Sequence, residues 1–353
     1  MLLRREFFSS IASCLVIATP AAALAKRSFS VHLDDLQWKS FAIGTLPNND
    51  AYRSPVITHV SMQPIGNLIA VVGDDHVVSI YDHQQQAFIE HVKRHKDWVR
   101  GCSFSPDGEL LATSGNDRAL FLWRVGNWVD PQLIKRSRDA IFDIAFSPDG
   151  KWIGMVGFCD KLALYDVNTG QLIEELKCPC ADMHALAFSP DGKFLAAGGR
   201  CGTVRVWNTS DLQQAAQYRV HNQRIRSIEF SSANDIVSAG DDQFVKITDP
   251  MNPQTGRALP RHTSKLYATA IMDEQLLATA GSDNLIHVWN MGSMQLLGSM
   301  KGHTGTVTSL AYAQRTLVSG SYDTYVRIWN IAQLGKLEQR TTDRTNGWNP
   351  AYK

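Results

Sequence analysis

The sequence predicts an all-β fold, a seven-bladed β-propeller of four-stranded antiparallel blades. Three observations predict it: a five-residue motif recurring every 42 residues, a two-residue marker recurring seven times, and short β-type runs between them.

The motif Phe-Ser-Pro-Asp-Gly stands at 104–108, 146–150 and 188–192, two steps of 42 residues. One step further on lies a degraded copy, Phe230-Ser231-Ser232-Ala233-Asn234. One step back lies another, Met62-Gln63-Pro64-Ile65-Gly66. The marker reads Tyr81-Asp82, Trp123-Arg124, Tyr165-Asp166, Trp207-Asn208, Thr248-Asp249, Trp289-Asn290 and Trp329-Asn330, at steps of 40 to 42 residues. Within a unit every run has strand character. Val307 to Tyr312 alternates, Leu317 to Ser319 is a second short strand, Ser321-Tyr322-Asp323 turns, and Val326 to Trp329 is a third strand with β-branched residues. A more polar fourth strand follows each marker, as in Gln171 to Leu176. One such sheet cannot bury both faces alone, whereas radial stacking buries each against its neighbours. A ring must also close, or it leaves exposed strand edges. Trp38-Lys39-Ser40-Phe41-Ala42-Ile43 is expected to complete the last blade, with Gly335 to Arg340 as the competing segment.

These units resemble WD repeats and cover roughly residues 56–340. The hydrogen-bonded tetrad of that family, His, Ser or Thr, Asp and Trp, reads as His95, Thr113, Asp117 and Trp123 in the second unit. It reads as His262, Thr279, Asp283 and Trp289 in the sixth, and as His303, Ser319, Asp323 and Trp329 in the seventh. The fifth keeps His221, Ser238 and Asp242 but has Thr248 for Trp; units one, three and four depart further. His, Ser and Asp together also suggest a hydrolase triad. A nucleophile, however, needs an exposed Oγ and an oxyanion site, and an enzyme needs one such set rather than several. Buried His and Asp need partners, so the set reads as a cross-brace. The resemblance therefore implies a scaffold with no catalytic residue, no cofactor and no metal, binding an unidentified protein partner through its loops. The alternative is an exported propeller enzyme, or a redox- or metal-associated accessory protein using its cysteines.

The residue before each tetrad Asp sits at a turn tip, and the residue before the first inward apolar residue sits at the channel rim. Both belong to the face where tetrad His and Asp meet. Those positions hold Asp74, Trp98, Asn116, Phe158, Arg200, Arg224, Asp241, Lys265 and Tyr322. Among them Trp98, Phe158, Arg200, Arg224 and Tyr322 are of the types that dominate interface hot spots, and they are the expected partner-binding residues.

Six cysteines are present: Cys14, Cys102, Cys159, Cys178, Cys180 and Cys201. Cys102 falls in an inner strand and reads as a buried free thiol. In the fourth unit Cys201 takes the tetrad Asp position and Cys180 the His position. In the third, Cys159 stands at the Asp turn and Cys178 ends the outer strand. Two disulfides are expected, Cys180–Cys201 and Cys159–Cys178, with a four-thiolate metal site, or unlinked or otherwise paired thiols, as the alternatives.

The first 25 residues read as an export signal. Arg4-Arg5-Glu6-Phe7-Phe8 resembles the twin-arginine signature, Phe7 to Ala18 is largely apolar, and Ala23-Leu24-Ala25 is a small-x-small cleavage pattern. The expected location is periplasmic or secreted, by the twin-arginine or the general route. The chain then divides into the signal (1–25), an N-terminal segment with the ring-closing strand (26–55), seven repeats (56–340) and a polar tail (341–353) expected to be poorly ordered. The formal charge of +1 gives no electrostatic case for nucleic-acid binding, and no apolar run reaches the ~20 residues of a membrane span. The chain is expected to be monomeric on its own.

Overall fold

Seven four-stranded antiparallel sheets follow one another along the chain. The structure is a computed structural model that describes residues 38–42 and 54–331, all within one compact unit, Val31–Lys353. The export signal, Gly335 to Arg340 and the tail 341–353 lie outside the described residues.

Blade 1 is built from Ile57–Met62, Leu68–Gly73, Val78–Asp82 and Ala87–Val92, ordered from the centre outward. The first strands of the other blades are Val99–Phe104, Ile141–Phe146, Met183–Phe188, Ile225–Phe230, Leu266–Ile271 and Val307–Ala313. Each of these first strands touches the first strand of the next blade, and that of blade 7 touches that of blade 1, so they form a closed ring. Blade 7 takes its outer strand from the start of the chain: Trp38–Ala42 runs antiparallel to Tyr325–Asn330, with Trp38 opposite Trp329 and Phe41 opposite Val326. Phe41 stacks on Tyr81 of blade 1 at 3.8 Å between ring centroids.

The repeated motif has a local cause. In each copy the serine hydroxyl (Ser105, Ser147, Ser189) donates to the aspartate two residues on (Asp107, Asp149, Asp191), and the glycine amide donates back to the serine carbonyl. The glycines sit at φ of +74°, +71° and +72°, a left-handed conformation that only glycine adopts without strain.

The core is not one cluster but a series of layers between neighbouring blades. Trp123, for example, packs against Ala70, Val72, Val78 and Ile80 of blade 1. Trp329 packs against Ala278, Ile286 and Val288 of blade 6. First strands are also sheet edges, and their free amides need acceptors. Side chains of the preceding blade supply them. Ser309 accepts from the Val60 amide (3.1 Å), Ser61 from Phe104 (3.3 Å), Asp143 from Leu186 (3.0 Å) and Glu229 from Ile271 (3.1 Å).

Candidate protein-binding site

The tetrads fix the loops of one face. In blade 2 the Trp123 indole N–H donates to Thr113 Oγ1 (2.9 Å), and that hydroxyl also meets His95 Nε2 (2.9 Å). His95 Nδ1–H donates to Asp117 at 3.0 Å, and Asp117 further accepts the Lys96 amide. Blade 7 repeats this with Trp329, Ser319, His303 and Asp323, and adds Arg327, whose guanidinium pairs with Asp323 at 3.1 Å. Blade 5 has His221 between Ser238 (2.9 Å) and Asp242 (2.8 Å). Burial pushes the carboxyls of Asp117, Asp242 and Asp323 up. The histidine and backbone donors outweigh it and hold all three below the usual range.

Blade 6 departs from the expected set. Trp289 donates to Thr279 (3.0 Å), but His262 does not hold Asp283. His287, on the same strand as Trp289, takes that carboxylate at 3.0 Å and binds Ser299 with its other nitrogen at 2.6 Å. His262 instead lies against the Trp289 ring, centroids 4.9 Å apart, with its Nε2 buried and unpartnered. Burial lowers its pKa to about 4. The cause is competition: His287 stands where Phe121 and Arg327 stand in blades 2 and 7, four residues from the aspartate and within its reach.

In blade 4 Cys180 and Cys201 form a disulfide, with Cα atoms 6.2 Å apart. Cys159 and Cys178 do not; both are free thiols. Cys178 is buried in the layer beneath Trp207, whereas the Cys159 thiol turns to the Lys161 carbonyl at 3.2 Å. The two therefore address different surroundings although they end neighbouring strands. A four-thiolate metal centre is also ruled out as drawn, because two of its sulfurs are bonded to each other.

The mouth of the central channel lies on the same face. A cavity of about 380 Å3 there is lined by the second residue of every first strand: Thr58, Arg100, Phe142, His184, Arg226, Tyr267 and Thr308. Each of these seven is a bulge residue. The pairing of first and second strand slips there, as between Val99 and Gly101 or between Ile141 and Asp143. A bulge leaves one residue out of the ladder and re-aims its side chain, here into the channel. Sequence reading missed this ring because the slip breaks the alternation it relied on. The available signal was a large polar or aromatic residue just after the first apolar position of blades 2 to 6.

Around the mouth these side chains join the turn-tip residues. Trp98, Phe158 and Tyr322 are 39%, 52% and 47% exposed. The Arg100 guanidinium lies over Trp98 at 4.7 Å and over Phe142 at 5.6 Å. Phe142 contacts Phe158 at 4.5 Å and stacks on His184 at 4.2 Å. Tyr322 borders the cavity. Arg100 donates to the neutral side chain of Asn116 at 3.0 Å. By contrast Arg226 is tied to Asp241 and stacks over Tyr267 at 5.1 Å. Arg224 is paired with Asp182 at 2.6 Å, so its guanidinium is engaged within the protein. Arg200 is exposed, on the fourth blade's turn, and Asp74 accepts the Val56 amide. Lys265 precedes the first strand of blade 6, where its carbonyl accepts the Ser282 amide.

Deeper in the channel, burial pushes the Asp143 carboxyl up to about 7 and the His59 imidazole down to about 4. Cys102 meets His59 at 3.5 Å, but burial drives the thiol upward as well, so the pair is neutral and not a thiolate–imidazolium nucleophile.

Four stretches of the chain match the sequence family described as WD domain, G-beta repeat: residues 86–124, 170–208, 212–249 and 294–330. These four stretches, under half of the chain, are similar to WD repeats. Its curated relatives include the DENN domain and WD repeat-containing protein SCD1 of Arabidopsis thaliana, 25% identical over 122 residues, which is 34% of this chain and 10% of that protein. Mitochondrial division protein 1 of Schizosaccharomyces pombe is 46% identical over 55 residues, 16% of this chain and 8% of the other. The U3 snoRNP-associated protein-like EMB2271 of Arabidopsis thaliana is 36% identical over 81 residues, 22% of this chain and 17% of the other. The chain thus spans less than a fifth of each of these relatives, all of them eukaryotic. WD propellers generally serve as non-enzymatic scaffolds for protein partners. Among the described residues no helix is long and apolar enough to cross a membrane.

Proposed function

We propose that this WD-repeat propeller is a non-catalytic interaction scaffold that docks a protein partner on the tetrad face, around the channel mouth. The observation that carries the reading is the continuous set in which half-buried Arg100 and Phe142 join the exposed rings of Trp98 and Phe158, with exposed Tyr322 across the cavity. Exposed aromatic residues beside an arginine, held by a rigid ring, are what interface centres are made of. The partner in this reading meets mainly blades 2 to 4, with Tyr322 of blade 7 facing them, because the channel-wall position holds Arg100, Phe142 and His184 there and only the smaller Thr58 and Thr308 in blades 1 and 7. Export before docking is part of the proposal. It is supported by Arg4-Arg5 and Ala23-Leu24-Ala25 in the sequence, and a disulfide is compatible with an oxidising compartment.

Affinity purification with the native chain and with a Trp98→Ala/Tyr322→Ala double variant tests the face. Both residues are half-exposed, so the variant is expected to keep the wild-type circular dichroism and to bind recovered partners at least ~10-fold more weakly. Equal affinity for every partner would remove this face from the function.

A further inference from the structure

Trp123, Trp207, Trp289 and Trp329 share one register position, opposite Leu111, Leu195, Leu277 and Leu317 of the second strand. Each packs against the preceding blade. The layers of Trp123, Trp207 and Trp329 include an aliphatic side chain from that blade's outer strand: Val92, Leu176 and Met300. Between blades 4 and 5 both partners change. Thr248 holds the tryptophan position, opposite Ile236, and Tyr218 stands where the aliphatic residue would be, opposite Val204.

The exchange of a large residue for a small one, and of a small one for a large one, is incomplete. A cavity of about 290 Å3 remains, lined among others by Tyr218, Arg219, Val220, Lys246, Thr248 and Arg257. Thr248 is only 5% exposed, and its hydroxyl has no hydrogen-bond partner. The Tyr218 hydroxyl is likewise buried and unpartnered. Both residues line the cavity, and two orphaned hydroxyls buried in its wall are costly unless something meets them. The fourth strand of blade 5 is only two residues long, Arg257–Ala258, and borders the opening. The charged side chains lining the cavity are Arg219, Lys246 and Arg257, with no acid among them. Arg219 and Lys246 donate to backbone carbonyls rather than to a carboxylate.

We propose that this cavity binds a small aromatic carboxylate. Its ring takes the slot that tryptophan fills in the neighbouring layers, a polar edge meets Thr248 and Tyr218, and the carboxylate faces Arg257. The site lies between blades 4 and 5 at their outer strands, so it stands or falls independently of partner docking at the channel mouth.

Calorimetric titration of the full chain with indole-3-acetate tests this, with indole and acetate as separate arms. The expected result is saturable one-site binding of indole-3-acetate, with each fragment at least ~10-fold weaker. Thr248→Trp is expected to fill the slot and abolish binding. Thr248→Val, which keeps the shape and removes the hydroxyl, and Arg257→Gln, on the exposed rim, are each expected to weaken it several-fold. Absence of saturable binding at millimolar indole-3-acetate would overturn the proposal. So would undiminished affinity in all three variants, and indole binding as tightly as its acid would overturn the carboxylate contact.

Discussion

Single side chains decide most at the braces and in the channel wall. His95, Asp117 and Trp123 were legible because a brace repeated in several blades leaves a fixed spacing in the sequence. The swap in blade 6 was not legible, because His287 takes Asp283 from a position that holds Phe121 and Arg327 in blades 2 and 7 and belongs to no tetrad. Asp143 gives a prediction of its own. Its side chain links blades 3 and 4 through the Leu186 amide, and its cavity is shared with Arg100, His184, Arg226, Glu229 and His59. Burial raises its folded pKa to about 7, whereas an unfolded aspartate titrates near ~3.9. Between those values the native state holds a proton that the unfolded chain has released. Its contribution to stability is complete below about pH 4 and is lost as pH rises through about 7, at up to ~1.4 kcal/mol per pH unit. Urea denaturation of wild type and Asp143→Asn at pH 5 and pH 8 checks this. The wild type should lose stability relative to the variant on going to pH 8, and parallel behaviour would mean that Asp143 is not protonated in the fold.

Strands and turns show where repeat reasoning held and where it ran out. The strand runs of the seventh unit fall inside Val307–Ala313, Thr316–Ser321 and Tyr325–Asn330. Thr316–Ser321 is buried at every position after the first, because blades pack on both of its faces. The bulges at the second position of each first strand break the two-residue period, so the ring of channel residues could not be read from it. The cysteines split along the same line. Cys180 and Cys201 occupy two positions that meet in every intact brace, so their bond follows from the fold, whereas Cys159 and Cys178 have no such geometric template. The Cys180–Cys201 bond closes a loop of 21 residues, and in the chain-entropy picture that contributes roughly 3 kcal/mol. Reduction, or a Cys180→Ser/Cys201→Ser variant, should therefore lower stability by about that amount. Paired denaturation curves with and without reductant measure it, and coincident curves would show that the bond carries no stability.

The whole molecule depends on one closure. Three strands of blade 7 come from the end of the described chain and one from its beginning, and Phe41 carries the contact from that strand to Tyr81 of blade 1. Phe41→Ala is expected to cost about 2 kcal/mol, less than a fully buried phenylalanine because the ring is half-buried. Deleting residues 26–45 should remove far more, by exposing the edge of Tyr325–Asn330. Melting curves distinguish the two, and an unchanged midpoint in the deletion would mean the ring holds without its clasp. The seam also sets an order of events. Trp38 and Trp329 lie roughly 290 residues apart, so this is the most non-local strand pairing among the described residues and the slowest of them to find. A chain growing from the ribosome has made its clasp long before the blade that will receive it. In the interval that strand is a free hand, able to take the open seventh blade of another copy, and dilution during refolding should favour the closed single ring over exchanged pairs.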